Sequence, residues 1–422
     1  MTIASTLLLW LPVLLAAAAV LGLIVLLLGL IRVITPAPRL PPLPQDLANL
    51  APPLAALPES FTESFTESLS ESLTVVVPAY NEAANIADCL TSILVSHPPC
   101  SHWQLLLVDD ESSDATVTLA KAAAEACAAG SDRFRVLAAG PRPAHQRWVG
   151  KNWACTQAME QVHSTWVLFV DADVRLQPAT LRRALAQAQA DGADLLTLAP
   201  RLRCGCLAEW MVQPIIASLL GLGFPIAAAN DPASAVAFAA GPFMLFRRSS
   251  YLAIGGHRAL AAEVVEDLAL ARAIKAAGYR LRYLLGLDAV DLRMYADFPA
   301  LWEGWSKNWL LGLGGNVPLA LAAGAVVLLL FSGPWLLAPA TAIALVVIPQ
   351  VPLPLVLALM LALLGIGLQW ALRLWSRQQF QLPMRHWWLM GAGGLVLAAI
   401  APTSVWRTLS GRGWTWKGRP LA

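Results

Sequence analysis

The sequence predicts an α/β sandwich around a mainly parallel sheet, set between apolar segments that enter a membrane. Three observations predict it. First, three apolar, β-branched runs, "LTVVVPAYNE", "WQLLLVDDESS" and "STWVLFVDADV", each end in a polar cluster. Second, stretches with helical spacing separate them, such as 115–129 and 179–190, and this alternation is the pattern of a parallel sheet with covering helices. Third, hydrophobic residues make up 57% of the 422 residues and charged residues only 13%. Soluble domains carry about 25% charged residues. The apolar excess lies at the two ends of the chain, which points to membrane segments rather than to an oversized core.

Taken in order, residues 1–34 read as an anchor. Leu7 to Ile31 is an uncharged run of 25 residues, long enough to cross a bilayer with some tilt. No basic stretch precedes it and it is long for a cleaved signal, so it reads as retained. Arg32 and Arg39 place its C-terminal end on the cytoplasmic side. Residues 35–72 form a linker rich in proline, serine and glutamate. Glu59, Glu63, Glu67 and Glu71 recur every fourth residue there, a pattern open to either a short amphipathic helix or a spacer. Residues 73–309 form the α/β domain. Within it, the apolar segment 207–229 would otherwise look transmembrane. A crossing there would put Asp173 and Asp267 on opposite sides of the bilayer, so the segment reads as an interfacial helix pair. Residues 310–402 hold the C-terminal membrane segments, with no formal charge from Asn308 to Leu372. The last of them, Trp387 to Ala401, is short for a full crossing, and the number of crossings stays open. Residues 403–422 are a basic, tryptophan-rich tail suited to an anionic interface.

Open α/β sheets place their sites beyond the C-terminal ends of the strands. Asn81 and Glu82 end the first run, Asp109 and Asp110 the second, and Asp171 and Asp173 the third. In an extended segment, residues i and i+2 face the same way, so Asp171 and Asp173 can share a divalent cation with the oxygens of a diphosphate. Such crowded carboxylates need a cation or hydrogen-bond donors to compensate them. Glu266 and Asp267 open a helix expected from Val264 to a stop at Gly278. Either acid could serve its helix dipole or deprotonate a hydroxyl, and spacing does not choose between them.

With these residues in view, the chain resembles membrane-associated family 2 glycosyltransferases with the GT-A fold. The resemblance rests on "VVVPAYNEAANI", "LLLVDDESSDAT", "GKNWACTQAM", "FVDADV", "AAGPFMLFRRSSYLAIGG" and "EVVEDLALARAIKAAGY". Within the family it is most similar to the hopene-associated enzymes, then to ceramide and carotenoid glycosyltransferases. The resemblance implies a GT-A nucleotide-diphospho-sugar transferase domain with N-terminal and C-terminal transmembrane helices. It further implies that Pro78, Ala79, Tyr80 and Glu82 form a loop against the nucleotide. Asp110 would recognise the base, with Asp109 beside it, and Lys151 would approach the base or phosphates. Asp171 and Asp173 would hold Mg2+ or Mn2+, and Gly241 and Pro242 would line the acceptor or sugar pocket. Asp267 would be the catalytic base, with Glu266 as its neighbour. The implied reaction is inverting transfer from a nucleotide-diphospho-sugar, a UDP-sugar by family habit, to a hydroxyl of a membrane lipid, with hopanoids as one class. The enzyme would sit in the cytoplasmic membrane as a multi-pass protein, its catalytic domain facing the cytoplasm.

Alternatives narrow the reading. A net charge of +2 without a basic stripe excludes nucleic acid as partner. The six scattered cysteines read as free thiols. Another transferase on the same fold, or a processive polysaccharide synthase, are the remaining competitors. Such synthases carry Q-x-x-R-W, and here the matching residues are Trp305, Ser306, Lys307, Asn308 and Trp309. Only the final tryptophan is kept, and Lys307 is the one cation that could replace the missing arginine. Trp302, Trp305 and Trp309 share a helical face suited to the headgroup layer.

Overall fold

The computed structural model describes residues 3–42, 71–127, 131–411, 414–417 and 419–420. The repeated glutamates at 59, 63 and 67 lie outside them. The chain divides into two compact units. One comprises residues 37–201 and 224–293, and the other 1–36, 202–223 and 294–420.

The first unit is built on a seven-stranded sheet. Its strands are β1 (Ser72–Ala79), β2 (His102–Asp109), β3 (Phe134–Ala138), β4 (Trp166–Val170), β6 (Leu195–Ala199), β8 (Phe243–Arg247) and β9 (Leu281–Leu285). The spatial order is β3-β2-β1-β4-β8-β6-β9. Pairings β1–β2, β1–β4, β2–β3 and β6–β9 are parallel, and β8 alone runs antiparallel between β4 and β6. The apolar strands are buried on both faces, as the sequence pattern requires: all five residues of β4 are buried. Three shorter strands, β5 (Val174–Leu176), β7 (Arg201–Leu202) and β10 (Val290–Leu292), form a second sheet in the order β5-β10-β7, with β5 and β10 antiparallel.

Register explains where the polar clusters go. Ala79 pairs with Asp109, and Asp109 with Ala138, so the ends of β1, β2 and β3 are level. Val76 of β1 pairs with Phe169, which brings Asp171, just past β4, to the same edge. Because β8 is antiparallel, its N-terminal end arrives there too: Phe243 pairs with Val170, and the Asp171 amide donates to Pro242 O at 3.4 Å. Gly241 and Pro242 are thereby delivered to the acid edge. This reversal was not legible from the strand pattern.

The free edge of β9 is covered. Leu40 N donates to Leu285 O at 2.9 Å and Leu285 N to Pro38 O at 2.9 Å. Asn230 holds both backbone groups of Tyr283, at 2.8 and 2.6 Å. The buried Arg183 donates to Leu40 O and Pro41 O. Part of the expected linker, residues 37–42, is thus an ordered strap that satisfies an exposed strand edge.

Among the described residues, the second unit holds four helices long and apolar enough to cross a membrane: Leu9–Ile34, Val317–Val347, Leu353–Phe380 and Trp387–Leu409. The last is 23 residues long. It read as short because its apolar run ends near Ala401, whereas the helix continues through Thr403, Ser404 and Arg407. In Val317–Val347 a π-helical turn at Leu328–Ser332 loosens the backbone ladder, and its carbonyls find a partner. Gln369 donates to Leu330 O at 3.0 Å and Phe331 O at 2.9 Å, and accepts from Trp335 Nε1 at 2.9 Å. Buried amide–carbonyl pairs of this kind satisfy groups that lipid cannot.

The segment 207–229 forms two helices. Leu207–Gly223 packs against Met390–Leu409 and Ile3–Ile34, with Glu209, Gln213 and Ser218 buried in it. Ile226–Asn230 is a five-residue helix of the other unit. One expectation is corrected here: Trp305 and Trp309 do not face the headgroup layer. They are 8% and 7% exposed, and their indoles donate to Gln213 Oε1 and Ala320 O. Trp302 alone stays half-exposed, against Phe298, where it lines an open pocket of about 570 Å³.

Candidate active site

The site lies at the C-terminal edge of the parallel strands, and its loops are held mainly by their own polar side chains. After β1, Asn81 adopts φ 51°, and its amide donates to Ser112 Oγ at 3.0 Å. Its side-chain oxygen accepts from Ser113 N at 2.8 Å. Glu82 N donates to Thr116 Oγ1 at 2.7 Å, and Ala83 N to Asp114 Oδ2 at 3.1 Å. The loops after β1 and β2 are therefore locked together, with Pro78 and Tyr80 half-buried beside the buried Ala79. Asp109 accepts from Ser112 N and shapes its own turn. Asp110 is only 3% exposed and meets Arg142 at 2.5 Å. Arg142 was not singled out in the sequence. The one available signal was its place in "GPRPAHQRWVGK", a basic loop leading into the Lys151 helix.

That helix, Gly150–Met159, is aimed by Asn152, whose amide donates to Leu260 O at 2.6 Å and Glu263 O at 2.9 Å. Val149 N donates to Ala261 O at 2.8 Å. These bonds set Lys151 against the start of the Glu266–Ala276 helix. Lys151 Nζ meets Asp171 Oδ1 and Glu266 Oε1, both at 2.6 Å. Lys151 therefore bridges two acids.

Asp171 and Asp173 do not lie in an extended segment. They belong to a turn closed by Val174 N donating to Asp171 O at 3.1 Å, so the expectation that alternation aligns them fails. Asp171 turns to Lys151. Asp173 keeps Oδ1 buried and without a hydrogen-bond partner. Burial first, and then the charges of Asp171 and Glu82, raise its carboxyl well above the usual range. Asp171 is raised too, by burial, although Lys151 opposes the rise.

Asp267 receives Leu268 N at 2.7 Å on Oδ1 and Gly241 N at 3.1 Å on Oδ2. Burial, then the Glu266 charge, push it up to about 6. Glu266 is held below its ordinary value because Lys151 outweighs its burial. A side chain at Gly241 would collide with Asp267 Oδ2, at 2.9 Å from an added Cβ. Beneath the site, the Tyr251 hydroxyl takes the His257 amide at 2.9 Å and bonds His257 Nδ1 at 2.7 Å. Burial lowers His257 to about 3.

The structure thus gathers Glu82, Asp171, Asp173, Lys151, Glu266 and Asp267, with the Asp110–Arg142 pair adjoining through Gly150. Lys307 lies on the Phe298–Gly312 helix of the other unit. All six cysteines are free.

A divalent cation fits this donor set in part. Asp173 supplies an orphaned hard oxygen in a field of surplus negative charge. Among the described residues no three acid, cysteine or histidine side chains converge on one point. The protein would therefore give one or two ligands, and a bound diphosphate and water the rest, as is usual for Mg2+.

A mainly parallel sheet with one reversed strand, acids at its edge and a paired acid helix make up a GT-A-type α/β fold. The sequence model of the family described as Glycosyl transferase family 2 matches residues 74–255. The chain is 29% identical over 266 residues to a 4,4'-diaponeurosporenoate glycosyltransferase of Staphylococcus aureus, and 28% identical to its counterpart from another strain. The match covers 61% of this chain and 65% of the relative. Among solved structures, the mannosyltransferase PcManGT from Pyrobaculum calidifontis, in complex with GDP-Man and Mn2+, is 17% identical with a TM-score of 0.44. That alignment covers 91% of this chain and 98% of the other. TarS 1-349 of S. aureus, in complex with UDP-GlcNAc, is 15% identical with a TM-score of 0.39, over 82% and 95% of the two chains.

Proposed function

We propose that the protein transfers a sugar from a nucleotide-diphospho-sugar to a hydroxyl of a membrane lipid, with inversion at the anomeric carbon. The observation that carries this reading is the division of labour between Glu266 and Asp267. Glu266 is tied to Lys151 and stays ionised. Asp267 is pushed up to about 6, which suits a group that must take a proton near neutral pH. Asp267 accepts the proton of the acceptor hydroxyl as its oxygen attacks the anomeric carbon. Gly241 N and Leu268 N keep the carboxylate oriented for that transfer.

Asp110, with Arg142, would hold the base, and the loop Pro78–Glu82 would lie against the nucleoside. Lys151 would keep Asp171 and Glu266 from repelling each other as the diphosphate binds. Mg2+ or Mn2+ on Asp173 and Asp171, when bound, would offset the charge of the departing nucleoside diphosphate. A lipid acceptor is supported by the four apolar helices and by the likeness to an enzyme named for a carotenoid acid. A UDP donor, a hopanoid acceptor and a cytoplasmic active face belong to the same proposal, as expectations of the resemblance. Processive synthesis is disfavoured, since "WSKNW" keeps one residue of Q-x-x-R-W and Trp305 and Trp309 are spent on packing.

The test is a screen of nucleotide-sugars against membrane lipids with mass spectrometry of the products. One sugar added to a lipid alcohol is the expected product, lost in both Asp267→Asn and Asp173→Asn. Full turnover by Asp267→Asn would remove the assigned base, and a growing sugar chain would favour the synthase.

A further inference from the structure

We propose that the membrane unit carries a second, non-catalytic site: the buried guanidinium of Arg373 receives the phosphate of an anionic membrane lipid. Arg373 is 1% exposed. Its Nη2 donates to Pro383 O at 2.9 Å, whereas Nε and Nη1 are buried and have no hydrogen-bond partner. Among the described residues no carboxylate pairs with it; the Trp210 ring lies 5.7 Å from the guanidinium carbon. A guanidinium cannot shed its proton to escape burial. A full positive charge with three unused N–H donors is costly in such a place unless an anion completes it.

Depth along the helix identifies the anion. Leu353 to Leu372 is uncharged and spans 20 residues, about 30 Å at 1.5 Å per residue, which is the thickness of the hydrocarbon layer. Arg373 is the next residue, at the level where lipid phosphates lie. Arg377, one turn on, is exposed beyond it. The surroundings match an interface. The Trp210 ring packs against His386 and His386 against Trp388, which is half-exposed. The loop that supplies Pro383 is bounded by Gln381 and His386, both with positive φ, at 56° and 59°. Two non-glycine residues held in that region within six positions mark a loop shaped at a cost. The strained loop presents a carbonyl to one side of Arg373 and leaves its other donors to a ligand.

The test uses the full-length protein in nanodiscs of phosphatidylcholine, with or without roughly one-fifth phosphatidylglycerol. Arg373→Met and Arg373→Lys are compared with wild type for phosphatidylglycerol retained in native mass spectrometry and for melting temperature. Wild type should retain the anionic lipid about tenfold better than Arg373→Met, as expected for loss of one charge-assisted contact, with Arg373→Lys between them. In phosphatidylcholine alone Arg373→Met should melt no lower than wild type, because an apolar chain replaces an uncompensated charge. Anionic lipid should raise the melting temperature of wild type only. An inorganic phosphate arm distinguishes the sources: phosphate that displaces the lipid shows a site reading the oxyanion alone, and lipid retained against phosphate shows that the tail contributes. Equal retention by wild type and Arg373→Met overturns the proposal. So does an Arg373→Met protein destabilised equally in both nanodiscs, which is the mark of a purely structural arginine.

Discussion

Lys151 and Glu266 meet at 2.6 Å, and the same ammonium meets Asp171 at 2.6 Å. One cation thereby joins the turn after β4 to the helix that carries Asp267, two elements nearly a hundred residues apart. Removing it as Lys151→Met leaves two acids facing each other. The expected loss of stability is about 2 kcal/mol at neutral pH, less than for a fully buried pair because solvent reaches part of the bridge. The sign with pH follows from Glu266, whose folded value is depressed. Its contribution is present above its unfolded value and lost as pH falls through the folded one. Denaturant unfolding should show a larger deficit for Lys151→Met at pH 8 than at pH 4. A deficit independent of pH would assign Lys151 a packing role instead.

Asp267 behaves in the opposite sense. Its folded value, about 6, lies above the ordinary 3.8, so its ionisation opposes folding as pH rises through that window. Asp267→Asn gives up one of the two backbone N–H bonds, because an amide offers one acceptor oxygen, but its stability relative to wild type should rise between pH 5 and pH 7.5, while turnover falls by about 10² or more. The wild-type kcat/KM should drop on the acid side with a midpoint near 6. Thermal melts beside a pH–rate profile check both, and a profile flat from pH 5 to 8 would take the base role from Asp267.

His257 sets an acid limit on the unit built on the seven-stranded sheet. Its Nδ1 faces the Tyr251 hydroxyl, which already accepts the His257 amide, so the hydroxyl donates to a neutral ring. Burial lowers His257 from 6.5 to about 3. The unfolded chain binds the proton first, so stability falls as pH drops below 6.5, by up to about 1.4 kcal/mol per unit. His257→Gln keeps an acceptor but cannot titrate. Its unfolding free energy should change less between pH 6.5 and 4.5 than that of wild type.

Much of this was legible because strand ends announce themselves. Apolar runs closing on Asn81–Glu82, Asp109–Asp110 and Asp171–Asp173 place the acids at one edge, and Glu266–Asp267 open a helix as their position suggests. What pairs with those acids was not legible. Lys151 was visible, yet its place between Asp171 and Glu266 depends on Asn152 reaching Leu260 O and Glu263 O, a contact across more than a hundred residues. Arg142 is one of several arginines in a loop, and only the fold selects it for Asp110. Trp305 and Trp309 looked like interface anchors because composition cannot tell lipid from a neighbouring helix. The turn at Asp171–Asp173 broke the alternation rule, since that rule holds within a strand and not one residue past its end.

Gly150 offers the sharpest test of the Asp110–Arg142 pair. A Cβ added there would sit 2.4 Å from Asp110 Oδ2 and 2.6 Å from Arg142 Nη2, closer than either atom can tolerate. Gly150 carries no positive φ, so alanine is acceptable to the backbone and the whole effect falls on the pair. Gly150→Ala should push the Asp110 carboxylate and the guanidinium apart and weaken donor binding by about tenfold, equivalent to about 1.4 kcal/mol. The chemical step on bound donor should change much less, because Asp267 lies on another element. Nucleotide titration by calorimetry, set beside single-turnover rates at saturating donor, separates the two. Donor affinity unchanged in Gly150→Ala would mean that the Asp110–Arg142 pair braces the loop and does not read the base.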